Sequence, residues 1–141
     1  SNAVHGLINV IDRDPGGPAG GTFTLSANTL QRYRADGVVN FSEAGVDYVS
    51  ALSITDDGGW RDASGVDMQK LTFRAGWGGD DWRAVATLSG VNLNQETAGF
   101  IQGRDAYKNE RTAKTNPNPE AYRDAWAART NLRLEKSFGR D

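Results

Sequence analysis

The chain of 141 residues has no cysteine, one histidine and one methionine. Without cysteine there is no disulfide scaffold and no thiolate metal site, and a single histidine removes most zinc sites and most imidazole-based catalysis. An excess of charge of one sign is missing as well: 16 Lys plus Arg stand against 18 Asp plus Glu, for a net charge of −2. That balance argues against a nucleic-acid partner, which needs a basic footprint. No apolar run approaches the ~18–20 residues of a membrane helix. Nucleophile, phosphate-loop and zinc-protease motifs are absent. These absences speak against an enzyme, a cofactor and a metal centre. Aliphatic material is also scarce. Leu, Ile, Val and Phe number 27 and the mean hydropathy is −0.59, little for a thick core, yet the high net charge expected of a disordered chain is missing.

Glycine is abundant, at 17 residues. It is concentrated first in the stretch from Asp14 to Gly21, where two prolines and four glycines exclude a helix or central strand and mark a linker over 15–21. Before it lies one dense apolar run, Gly6-Leu7-Ile8-Asn9-Val10-Ile11, with a β-like character.

From residue 22 onward the pattern has period two. Phe23, Leu25 and Ala27 oppose Thr22, Thr24 and Ser26; Val46, Tyr48, Leu52 and Ile54 share one face of 46–56. Lys70, Thr72 and Arg74 oppose Leu71, Phe73, Ala75 and Trp77, and Trp82, Ala84, Ala86 and Leu88 continue the apolar theme. Strict alternation predicts strands with one wet and one apolar face. The connections differ in length. Glu43-Ala44-Gly45 and Gly78-Gly79-Asp80-Asp81 suit tight hairpins, whereas 56–67 and 94–122 are long and polar, and the connection around 29–31 is brief. Short turns at one end and long loops at the other are the mark of an outer-membrane barrel. Asn118-Pro119-Glu120 reads as a helix start, so a short helical turn is expected near 118–126, with a strand from about Trp126 to Phe138. The expected fold is therefore all-β: an antiparallel up-and-down meander of about six strands.

Several segments carry a family resemblance. These are Asn2 through Pro15 with its Ile-Asn-Val-Ile core, Arg32-Tyr33-Arg34-Ala35-Asp36, Thr55 through Asp62, Asn92 through Gly99, and Asn116 through Arg123. In this order they resemble the TonB-dependent receptors of Gram-negative outer membranes, which import siderophores and similar scarce nutrients. The resemblance implies a fragment: 1–14 as the end of the plug domain, 15–21 as the link, and 22–141 as the first barrel strands. It also implies three partners for the parent protein, namely a metal chelate, an energy-coupling protein of TonB type and outer-membrane lipid. Ser1-Asn2-Ala3 fits the family but equally fits the scar of a cleaved tag. His5 is read as a packing residue of the plug end rather than a metal ligand.

In such a barrel Trp77, Trp82 and Phe138 would form an aromatic girdle beside the short turns. Lys70, Arg74, Arg83, Arg129 and Arg133 would line the lumen, where they could pair with plug carboxylates; in an isolated fragment the same residues read as a solvated sheet face. Trp60, Arg61 and Asp62 in the first long loop, with Phe100, Arg104, Tyr107 and Lys108 in the second, are candidates for ligand contact. Arginine and lysine suit anionic chelates, and aromatics supply flat area. Asp56-Asp57, Asp80-Asp81 and Glu43 are turn residues that match no calcium loop. A competing reading is a soluble antiparallel β-module, lipocalin-like or sandwich-like, binding a small ligand or protein. The isolated fragment, an open sheet, is expected to self-associate through its edges, whereas the soluble module is expected to be monomeric.

Overall fold

The computed structural model describes residues 14–29 and 31–139. Apart from Asp14, the expected plug end lies outside the described residues, and so do Ser1-Asn2-Ala3 and His5. The strands are β1 (Gly20–Ala27), β2 (Arg32–Glu43), β3 (Val46–Asp57), β4 (Val66–Gly78), β5 (Trp82–Glu96) and β6 (Tyr122–Lys136). They form one antiparallel sheet in the order β1-β2-β3-β4-β5-β6, an up-and-down meander as the alternation predicted. β1 and β6 each leave one edge unpaired among the described residues.

The turn between β2 and β3 holds only Ala44 and Gly45, since Glu43 pairs directly with Val46. Both turn residues have positive φ, 50° and 77°, the backbone of a type I′ turn, whose twist matches that of the flanking strands. Alanine at positive φ is strained. Ala44→Asn is therefore expected to stabilise the hairpin by about 0.5–1 kcal/mol, read as a higher denaturant midpoint at unchanged slope.

The strands extend further toward the loops than their apolar residues alone indicate. Asp56 pairs with Asp67 and Asn94 with Asp124, so polar residues at the strand ends still join the ladder. The first long loop accordingly shrinks to 58–65 and the second to 97–121. The helical turn of the second loop lies not at 118–126 but at α1 (Glu110–Lys114), after a 3₁₀ turn at Ala106–Lys108. Asn109 caps α1, its side chain accepting the Thr112 N–H at 3.1 Å, and Lys114 pairs with Glu110 at 2.9 Å. Asn118-Pro119 instead makes a turn, with the Ala121 N–H donating to the Asn118 carbonyl at 3.0 Å. Tyr122 then enters the ladder opposite Glu96. β6 thus begins at Tyr122, and Phe138 falls beyond its end.

The two faces of the sheet differ sharply. One carries Phe23 and Leu25 of β1, Tyr33, Val39 and Phe41 of β2, Tyr48, Leu52 and Ile54 of β3, Leu71, Phe73 and Trp77 of β4, Trp82 and Leu88 of β5, and Trp126, Leu132 and Leu134 of β6. Nearly all of these side chains are exposed, Phe23, Leu25 and Leu134 each to 70%. Buried apolar residues are few among the described residues: Pro15, Val49, Ala84, Val85 and Ala113. No described element packs on the apolar face.

From β1 to β5 the apolar band runs obliquely across that face, while on β6 it spans Trp126 to Leu134, with Trp126 back in the register row of Leu25. On β1 it occupies Phe23, Leu25 and Ala27; on β5 it occupies Trp82 through Leu88. Leu88 is in register with Phe73, Ser50, Val39 and Gly21, so the whole β5 band lies on the turn side of the β1 band. Leu25, the middle of the β1 band, reaches β5 at Asn92, seven positions from the band's middle at Val85. At about 3.4 Å per residue and about 4.8 Å per strand, this shift over four strands corresponds to an angle of roughly 50°.

Candidate functional site

The opposite face is polar, and β4, β5 and β6 aim three arginines at the segment that precedes β1. The construction begins with glycine. Gly76 of β4 pairs with Val85 of β5, and Val85 pairs with Arg133 of β6. Lacking a side chain, Gly76 leaves a socket for Pro15, which is fully buried. A Cβ at Gly76 would sit 3.2 Å from the Pro15 Cβ and 3.5 Å from the Arg83 Nη2. Val85, equally buried, completes the floor.

Around this socket the charges are fixed. The Asp14 carboxylate accepts from Arg74 Nη2 at 3.0 Å through one oxygen and from Arg133 Nη2 at 2.7 Å through the other. Arg83 Nη2 donates to the Pro15 carbonyl, and Asn40 Nδ2 of β2 donates to the Pro18 carbonyl. Arg74 is nearly buried, at 7% exposure, and its Nε reaches the Thr87 hydroxyl at 3.3 Å. Burying a guanidinium is costly unless it is paired. Asp14 meets that requirement while tying β4 to β6 across β5. Between the linker and the sheet is a cavity of about 550 Å³ lined by Pro18, Gly21, Val38, Val49 and Arg74.

The Arg133 hydrogen bond is the largest influence on the Asp14 carboxyl, and the charges of Arg133, Arg74 and Arg83 add to it. Together they outweigh desolvation and hold its pKa below the ordinary 3.8. A depressed carboxylate contributes docking strength that is complete above 3.8 and disappears as pH falls through the lowered value. The socket floor reports on this directly. In Val85→Cys, whose thiol has no native competitor, modification by the acid-tolerant reagent 4,4′-dithiodipyridine is expected to quicken as pH is lowered below 3.8. In Asp14→Asn it should already be fast and independent of pH.

Of the five polar-face cations singled out in the sequence, Arg74 and Arg133 pair with Asp14, whereas Arg83 donates to the Pro15 carbonyl. Lys70 and Arg129 stand apart, on the walls of an open groove with Thr72 and Ser89. Trp77 and Trp82, the residues expected to form a girdle, flank the second turn on the apolar face. Beside them Phe41 stacks on Tyr48, with ring centres 4.9 Å apart, and Tyr48 approaches Phe73 at 6.0 Å.

The seven loop candidates do not converge. Arg61 donates to the Thr115 carbonyl at 2.6 Å, the Asp62 N–H donates to the Lys114 carbonyl at 2.8 Å, and Asn116 Nδ2 donates to the Ala63 carbonyl at 2.7 Å. Arg61 and Asp62 therefore lie where the two long loops are braced together, with Trp60 half exposed beside them. Phe100, Arg104, Tyr107 and Lys108 lie on the outer part of the second loop, and Phe100 is 95% exposed. Lys108 pairs with Asp105 at 3.3 Å and sits 5.8 Å from the Tyr107 ring centre.

No group of three or more acidic or histidine side chains suited to a metal is found among the described residues, and no helix there is long and apolar enough to cross a membrane. Comparison of the chain with family models, with curated proteins and with solved structures returned no match.

Proposed function

We propose that this chain is part of the wall of an outer-membrane β-barrel of the TonB-dependent receptor class, together with the segment that ties the wall to its lumen. The observation that carries this reading is the oblique apolar band. A membrane presses one apolar belt onto a barrel, and strands tilted by about 35–45° cut that belt diagonally. On the chain the belt must therefore slide along successive strands, and the ~50° measured here is close to that tilt. A soluble sheet packing its apolar face on a core has no such requirement.

Three further features support the reading. The tight turns at 44–45 and 79–81 are at one end; the loops at 58–65 and 97–121 are at the other, together with the brief 28–31 connection. The polar face, not the apolar one, holds the preceding segment, as a lumen would hold a plug. Trp77, Trp82, Phe41 and Tyr48 border the belt on the turn side, where interfacial aromatics sit. In this assignment the long loops face the cell exterior and the turns face the periplasm. The parent protein imports a metal chelate or similar scarce nutrient, and a TonB-type partner drives remodelling of the plug. Trp60, Arg61, Asp62, Phe100, Arg104, Tyr107 and Lys108 are then loop residues at the outer mouth. The free edges of β1 and β6 pair with further strands in the barrel and cause the chain alone to self-associate.

The test is partition. Diluted from denaturant into lipid vesicles, the chain is expected to float with lipid and to resist protease along β2 to β5 while its long loops are cut. Recovery as a protease-resistant monomer in lipid-free buffer would contradict the proposal and favour a soluble β-module.

A further inference from the structure

Among the described residues, the polar socket gathers three arginines and holds one buried guanidinium donor with no acceptor. Arg74, Arg83 and Arg133 reach it from three adjacent strands, and each sends an Nη2 to one acceptor: the two Asp14 oxygens and the Pro15 carbonyl. Arg83 Nε is buried and has no hydrogen-bond partner among the described residues. Of the nearby acids, Glu135 pairs with Arg133 Nε at 3.2 Å, leaving Arg83 Nε untouched, and Asp47 accepts from the Ser42 hydroxyl while its carboxylate borders Gly16. The socket borders a groove of about 430 Å³ on the turn side, lined by Gly76 and Arg83 and by the acids Asp47, Asp80, Asp81 and Glu135 among others.

Guanidinium groups recognise planar and tetrahedral oxoanions through paired N–H donors, and an orphaned buried donor costs free energy until an acceptor reaches it. One carboxylate supplies two oxygens, whereas a phosphate or a polycarboxylate supplies more. We propose that the Arg74–Arg83–Arg133 cluster is an oxoanion-binding site whose built-in occupant is Asp14, so that a free oxoanion exchanges with the Asp14 carboxylate and releases the segment Asp14–Pro18 from the sheet. This rests on the geometry of the polar face and stands independently of the membrane assignment.

Inorganic phosphate is the probe, titrated against chloride at constant ionic strength. Two readouts are used: phosphate affinity by calorimetry, and modification of Val85→Cys by neutral methyl methanethiosulfonate. Phosphate is expected to raise the modification rate at least tenfold and saturably, while chloride leaves it unchanged. Asp14→Asn, which removes the competing carboxylate, is expected to bind phosphate at least tenfold more tightly, and adding Arg83→Gln to it should abolish that gain. Equal effects of phosphate and chloride would reduce the contact to simple charge screening and overturn the proposal. So would an unchanged phosphate affinity in Asp14→Asn that retains the β-sheet circular dichroism of the parent.

Discussion

Replacing Phe73 by arginine is expected to reduce the stability of the lipid-inserted sheet by about 2–4 kcal/mol, the cost of a cationic side chain near the bilayer midplane. Phe73 lies within the apolar belt of β4, between Leu71 and Trp77, opposite Leu88 on one side and Ser50 on the other. Its ring also approaches Tyr48, so part of the loss is aromatic contact. The matched control is Thr72→Arg, one residue away on the polar face, where the registered neighbours are the uncharged Ala51 and Ser89. That change is expected to remain within ~0.5 kcal/mol, the range of an ordinary surface substitution. Urea titrations in vesicles measure both. Similar losses at the two positions would mean that neither face looks into lipid.

The second large effect concerns the docked segment. Asp14→Asn removes the carboxylate contact at 3.0 Å from Arg74, which is only 7% exposed. A charged hydrogen bond is worth about 1.5–3 kcal/mol, and Asp14 is itself half exposed, so a loss of about 1–2 kcal/mol is expected. A double-mutant cycle with Arg133→Gln separates the pair from the individual side chains. The two changes should be less than additive, with a coupling of at least 0.5 kcal/mol that weakens in high salt. Additive losses would place Asp14 and Arg133 in independent roles despite their 2.7 Å contact.

The meander was legible in the sequence because alternation is local: the opposition of Lys70, Thr72 and Arg74 to Leu71, Phe73, Ala75 and Trp77 already assigns both faces of β4. The two tight turns were legible for the same reason. The helical turn was misplaced because Asn118-Pro119-Glu120 carries a good local start signal. Pairing of Tyr122 to Trp126 with 92–96 of β5 outweighs it, and that partnership is not visible in either segment alone. Long-range geometry hides the socket as well. Asp14 and Arg133 are 119 residues apart, and nothing in the sequence around Gly76 marks it as the place where Pro15 enters. The side of the sheet on which the arginines fall was readable; what they hold was not. The tilt of the apolar belt is likewise a property of register, and no single strand contains it.

The membrane assignment stands on that tilt, and the absence of cysteine makes it directly measurable. Single cysteines at Leu25, Ala86 and Asn92, all on the apolar face, are labelled with an environment-sensitive fluorophore in lipid vesicles. Their depth is then read with lipid-borne and aqueous quenchers. Leu25 and Asn92 lie in one register row, whereas Ala86 is six residues from Asn92 along β5. A tilted barrel wall predicts that the Leu25 and Ala86 probes share one depth within the hydrocarbon, with Asn92 at the water interface. Equal depth for Leu25 and Asn92, or access of the aqueous quencher to all three, would contradict it.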